Sequence, residues 1–332
     1  MKSPFTGGDI KLIKEKRTFE FRKLSFEIIY HYFKCIDTGE EFTNTELDEL
    51  NTNQTYNQYR EKEGIPFPDE ITTIRSQYGL SATKMSDILG FGVNMYSKYE
   101  AGEIPSVSNG RIISVCKNPE TFKKYFSRIM QQFVPKEQEE IMQKINNAVT
   151  SSILNAHEEL EKCTVFGNIE RGINTGYVAP NLEKARQMVL YFSQRCAPFT
   201  TKMNKLLFYS DFLNFSRYGY SISGISYRAI QKGPVPYRYD SLYFNTSDIV
   251  TIEDVFFDDK SGERFVTDKE FNANIFSKEE FESLDAVFDR FKDVKTKDIV
   301  DISHEESAWK ENIGTMSIIP YNFAFDLKAF EV

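Results

Sequence analysis

The segment "DISHEESAW" places Asp301, His304, Glu305 and Trp309 close together, and His next to Glu invites a metal-hydrolase reading. Zinc proteases built on HExxH need a second His four residues on, and Ala308 stands there, so the ligand count fails. Neither a GxSxG nucleophile elbow nor a GxxxxGK[ST] phosphate loop occurs. Cys35, Cys116, Cys163 and Cys196 are scattered without a CxxC pair, a pattern that fits a reducing cytosol. The expectation is a cytoplasmic protein that is not an enzyme and carries no cofactor and no metal. His304 is read as a structural hydrogen-bonder on a helix.

A different chemistry resides in "GFGVNMYSKYEAGEIP", Gly90 to Pro105. On a helix opening at Val93, the spacing of Val93, Tyr96 and Tyr99 sends those three inward. Asn94, Met95, Ser97 and Lys98 then face outward, where Asn can pair with adenine and Lys can reach guanine or phosphate. Lys84, on the preceding helix, joins this DNA-contacting set. The chain as a whole carries a formal charge of -8, which opposes nucleic acid. Residues 70–134, however, hold eight basic against five acidic side chains, a local net of +3. So modest a positive charge favours a homodimer on DNA.

The elements that must position these residues follow from periodicity. Residues 18–34 alternate apolar and polar and read as two strands. From Glu70 to about Met130 the period becomes helical, with Ser81 as an N-cap and Gly90 as a stop, giving five short helices. Residues 136–160 form one long helix with an apolar stripe at Ile141, Ile145, Val149, Ile153, Ala156 and Leu160. A linker, "GNIERGINTGYVAPN", precedes helices at 181–194 and 200–218, and a hairpin turning at Lys260-Ser261-Gly262 precedes helices at 277–291 and 296–310. The fold class is α+β, mainly α. No run approaches the roughly 20 apolar residues of a membrane span, and the N-terminus lacks the apolar core of a secretory signal, so no membrane association is expected.

Two resemblances sharpen this reading. "IRSQYGLSATKMSDILGFGVNMYSKYEAGEIP" resembles the Cro/repressor-type helix-turn-helix of MqsA-type antitoxins. That resemblance implies base contacts by Asn94 and Lys98, with Lys98 standing where Arg is more usual and offering a point charge instead of a bidentate fork. "YFKCIDTGEEFTNTELDELNTNQTYNQYRE" is similar to the end of the same family's zinc domain, but Cys35 and Thr38 occupy the positions of a CxxC pair. One thiolate cannot hold a structural zinc, even with His31 nearby. "KMNKLLFYSDFLNFSRYGYSISGISYRAIQKGPVPYRYDSLY" and "SHEESAWKEN" resemble the Panacea (SocA-like antitoxin) domain, which implies neutralisation of a partner toxin. Tyr227, Arg228, Lys232, Pro234, Pro236, Tyr237 and Arg238 are the toxin-binding candidates. The expected organisation is a zinc-less β domain (1–65), a helix-turn-helix domain (66–134), a connecting helix and linker (135–180) and a toxin-neutralising domain (181–332). The implied function is that of a type II antitoxin that binds its cognate toxin and represses its own operon through operator DNA. The alternative is a regulator whose C-terminal domain senses a ligand or a phage component.

Overall fold

The computed structural model, described for residues 1–154, 156–257 and 260–330 and leaving aside the side chains of 156–159, 257 and 260, begins with a long hairpin. Arg22 (φ 50°) and Lys23 (φ 69°) lie in the left-handed region and turn β1 (Ile10–Phe21) back into β2 (Leu24–Cys35). Two residues of this conformation match the twist of the strands they join. β1 starts eight residues before the alternation that marked a strand in the sequence. Every residue of β1 has a partner on β2, from Ile10 opposite Cys35 to Phe21 opposite Leu24. On the other edge of β2 the short β3 (Glu41–Phe42) pairs only with Phe33 and Lys34. Beyond it the edge is closed by side chains of α1 (Thr45–Glu63). The Asn51 amide accepts from the His31 N–H and donates to its carbonyl, both at 2.9 Å, and Gln54 does the same at Ile29.

α2 (Pro68–Ser76), α3 (Ala82–Leu89), α4 (Met95–Glu100), α5 (Val107–Val115) and α6 (Pro119–Ile129) are the five helices read from the sequence. Ser81 caps α3 by accepting from the Lys84 N–H, and Gly90 ends it with φ 70°. α7 (Pro135–Leu154) adds Ile141, Ile145 and Ala148 to a core containing Ile71, Ile74, Tyr78, Met85, Tyr96, Phe122 and Phe126. The stripe on that long helix is therefore divided. Its first members are buried in the helical core, Ile153 and Leu160 are exposed, and the side chain of Ala156 lies outside the described residues.

After α8 (Ala156–Phe166) come α9 (Leu182–Cys196) and α10 (Thr200–Tyr218). α10 is buried along most of its length, from Lys202 to Phe215. β4 (Tyr227–Ile230) and β5 (Gly233–Pro236) form a hairpin, α11 (Tyr239–Phe244) follows, and β6 (Thr251–Phe257) pairs with β7 (Lys260–Val266). Lys260, Ser261 and Gly262 are thus part of a strand and not the turn expected on them, and residues 258–259 lie outside the described residues. α12 (Lys278–Phe291) is followed by α13 (Thr296–Glu305) and α14 (Ser307–Lys310), where one helix was expected. Glu306, with ψ 135°, separates them. β8 (Ile318–Ile319) completes a three-stranded sheet in the order β5-β4-β8.

The chain divides into two compact units, one of residues 1–55 with 161–332 and one of 56–160. This differs from the four-part division drawn from the sequence, because the N-terminal hairpin packs with the C-terminal region. Lys14 donates to the Phe325 carbonyl (3.0 Å), His31 packs on Phe325, and Asn53 donates to the Tyr218 carbonyl (3.2 Å). The class read from the sequence holds: mainly helical, with three small sheets among the described residues.

Candidate functional site

In the helical unit, the segment expected to read DNA is built differently from a helix that opens at Val93. Asn94 has φ 60° and caps α4, which has only six residues. Tyr96 and Tyr99 are buried as expected, and the Tyr96 hydroxyl donates to the Ile71 carbonyl (2.9 Å). Val93 was expected inward and is 85% exposed. The reason lies in the backbone. Gly90 and Asn94 both turn left-handed, and Phe91 and Met95 pack on the core, so the residues between them bow outward. Met95, expected to face DNA, is half-buried in that core. Lys84 is occupied as well, with its ammonium 2.9 Å from Glu137 and 3.8 Å from Asp87. Asn94, Ser97 and Lys98 remain exposed, and the Ser97 hydroxyl donates to the Asn94 carbonyl (2.8 Å). Glu100 closes the helix against Arg75 at 2.6 Å.

In the other unit, α10 carries charge into the core. Asp211 is fully buried, and its Oδ1 accepts the N–H groups of Ile222 (2.8 Å) and Ser223 (2.9 Å). Its Oδ2 accepts the hydroxyls of Ser223 (2.7 Å) and Tyr227 (2.6 Å). Burial raises its pKa, and these four donors act against that rise. Glu306 is equally buried, and it accepts from the Tyr209 hydroxyl and the N–H groups of Lys328 and Ala329. Both carboxylates therefore hold loops in place. Burial pushes Lys205 down to about 7, and its ammonium group donates to the Pro234 carbonyl (2.9 Å). His304 stacks on Trp309 at 3.8 Å and lies below its ordinary pKa, first through burial and then through Lys205. Glu305 turns away to Lys310 (2.7 Å), so the adjacent His and Glu of the sequence do not act as a pair.

This scaffold sorts the toxin-binding candidates. Tyr227, Pro234 and Pro236 are buried, which takes them out of any contact surface. Short strands rich in Pro and Tyr look like an exposed loop in sequence, but β4 is the central strand of its sheet. Lys232 and Arg238 are exposed, and Arg228 and Tyr237 are half-buried. Two guanidinium groups approach the Tyr237 ring, Arg228 at 5.8 Å and Arg238 at 6.0 Å from its centre. Arg238 donates to the Thr164 carbonyl (3.2 Å), whereas Arg228 Nε is buried and has no acceptor among the described residues. A cavity of about 10 Å3 beside them is lined by Phe166, Ile225, Pro236, Tyr237 and Leu242. It has room for a single water.

Around Cys35 the hydroxyls of Ser3, Thr38 and Thr6 converge. Ser3 foremost, then Thr38, hold the thiol down to about 6 against the effect of burial. His31 has its ring against Phe325, and burial pushes its pKa down to about 4. Among the described residues no three His, Cys, Asp or Glu side chains gather as a metal site, and no helix is long and apolar enough to cross a membrane.

Comparison with known families finds a match over part of the chain. Residues 203–310 match the family described as antitoxin SocA-like, Panacea domain. The matched segment contains α10 from Met203 onward, the β4–β5 hairpin, Arg228, Tyr237, Arg238 and the His304–Trp309 stack. No curated protein and no solved structure matches the chain.

Proposed function

We propose that this protein is the antitoxin of a type II toxin–antitoxin pair. The C-terminal region, residues 181–332, captures a cognate toxin protein, and the helical unit binds operator DNA as a homodimer. The observation that carries the first half is the match of residues 203–310 to the SocA-like antitoxin family, a segment that presents the half-buried Arg228. Tyr237 and Arg238 beside it are the aromatic and Arg types that anchor protein interfaces. The DNA half rests on the MqsA-like sequence, on the packing of α3 against α4, and on the exposed Asn94, Ser97 and Lys98.

Co-expression tests the reading. The protein encoded beside this gene, expressed alone, should stop growth, and the full chain should restore growth and co-purify with it. Arg228→Glu with Arg238→Glu should abolish both rescue and co-purification, while Asn94→Ala with Lys98→Ala should leave them intact and weaken binding to the upstream DNA. A harmless neighbour that does not co-purify overturns the antitoxin reading.

A further inference from the structure

Val93 is an exposed β-branched side chain in the turn between α3 and α4, and its neighbours on either side are held. Phe91 packs edge-on against Tyr99 with ring centres 6.0 Å apart, and Met95 packs on the same core. Hydrogen bonds hold the backbone on either side. The Phe91 N–H donates to the Ser86 carbonyl (2.9 Å), the Met95 N–H to the Gly92 carbonyl (3.0 Å), and the Tyr96 N–H to the Ser86 hydroxyl (3.0 Å). A valine side chain has few rotamers to lose on binding. The exposed residues within five positions of it in sequence are Gly90, Gly92, Asn94, Ser97 and Lys98, and the polar ones among them suit base edges and phosphates better than an apolar protein surface.

One group on the major-groove floor fits a lone apolar side chain in such a setting. It is the C5-methyl of thymine, the apolar feature of the base-edge code. We infer that Val93 reads a thymine methyl and so sets sequence specificity beside Asn94 and Lys98. This inference rests on the helix-turn-helix reading above.

The test uses the full chain and a duplex selected by that chain from a random library. Each thymine is then replaced singly by deoxyuridine, which lacks only the methyl. At one thymine per half-site the replacement should weaken wild-type binding about fourfold, the factor expected for one methyl withdrawn from an apolar contact. Val93→Ala should weaken binding to the parent duplex similarly, and deoxyuridine at that position should cost this variant nothing more. Circular dichroism should show Val93→Ala folded like wild type, as its exposure implies. Equal deoxyuridine losses in wild type and variant at every position would overturn the inference and leave DNA binding standing. Failure of the full chain to select any duplex would overturn both.

Discussion

Replacing Asp211 separates two roles that one carboxylate fills. Asp211→Ala leaves the N–H groups of Ile222 and Ser223 buried without an acceptor, at about 1–3 kcal/mol each, and also strands the Tyr227 hydroxyl. The expected loss is about 4 kcal/mol or more, a large part of the about 5–15 kcal/mol that holds a domain together. Asp211→Asn keeps an oxygen for both N–H groups. Its NH2 meets the Ser223 and Tyr227 hydroxyls, which can turn to accept, so the loss should stay under about 2 kcal/mol. The folded carboxyl lies above 3.8, so the folded state keeps a proton that the unfolded chain has released. Wild-type stability therefore declines as pH rises above 3.8 toward the folded value, and Asp211→Asn lacks that component. Urea titrations followed by Trp309 would measure this, because the only tryptophan of the chain lies in the same unit and stacks on His304. Equal losses for the Ala and Asn variants, or equal pH dependence for wild type and Asn, would refute the account.

Three further outcomes follow from the same reasoning. Lys205 has a folded pKa near 7 against 10.5 unfolded, so stability should rise between pH 7 and 9 by up to about 1.4 kcal/mol per unit. That rise should be missing in Lys205→Met, as urea midpoints across the range would show. Tyr96→Phe should cost the helical unit about 1 kcal/mol through the lost bond to Ile71, and Tyr96→Ala about 3–5 kcal/mol through its cavity, both measurable by thermal melts. Gly233 has φ 95°, and an added Cβ would run into Ser303 Oγ and lie 2.6 Å from Lys205 Cε. Gly233→Ala should therefore destabilise the unit by roughly 2 kcal/mol or more in the Trp309-monitored titration, since it combines backbone strain with overpacking.

How far the sequence revealed this molecule depended on the range of the interactions. Ser81 and Gly90 were legible as the ends of α3 because capping is decided within a few residues. α10 was read at its true limits for the same reason, with Gly219 (φ 81°) closing it. The burial of Asp211, Lys205 and Glu306 was not legible, since local pattern takes charged residues to be solvated. Nor could pattern pair Lys14 with Phe325, 311 residues away. At the segment proposed to read DNA, a spacing of three points Val93 inward, but two left-handed residues place it outside the helix. Asn94 and Lys98 are exposed as expected, yet they do not share a helix face, because Asn94 has left-handed dihedrals. Arg228 was picked out as an Arg beside tyrosines, and only the three-dimensional fold reveals its unmet Nε.

The amides of Asn51 and Gln54 have a consequence for how the protein behaves in a crowd. They end a sheet with side chains borrowed from a helix, so resistance to recruitment by other strands is encoded about 20 residues away from the edge it guards. Loss of both amides would uncover four backbone groups in a row of β2 and leave its alternating aromatic sequence open to pairing with another molecule's strand. Sheet-driven polymerisation would then depend on two polar helix residues, a liability that an inspection of the strands themselves would miss.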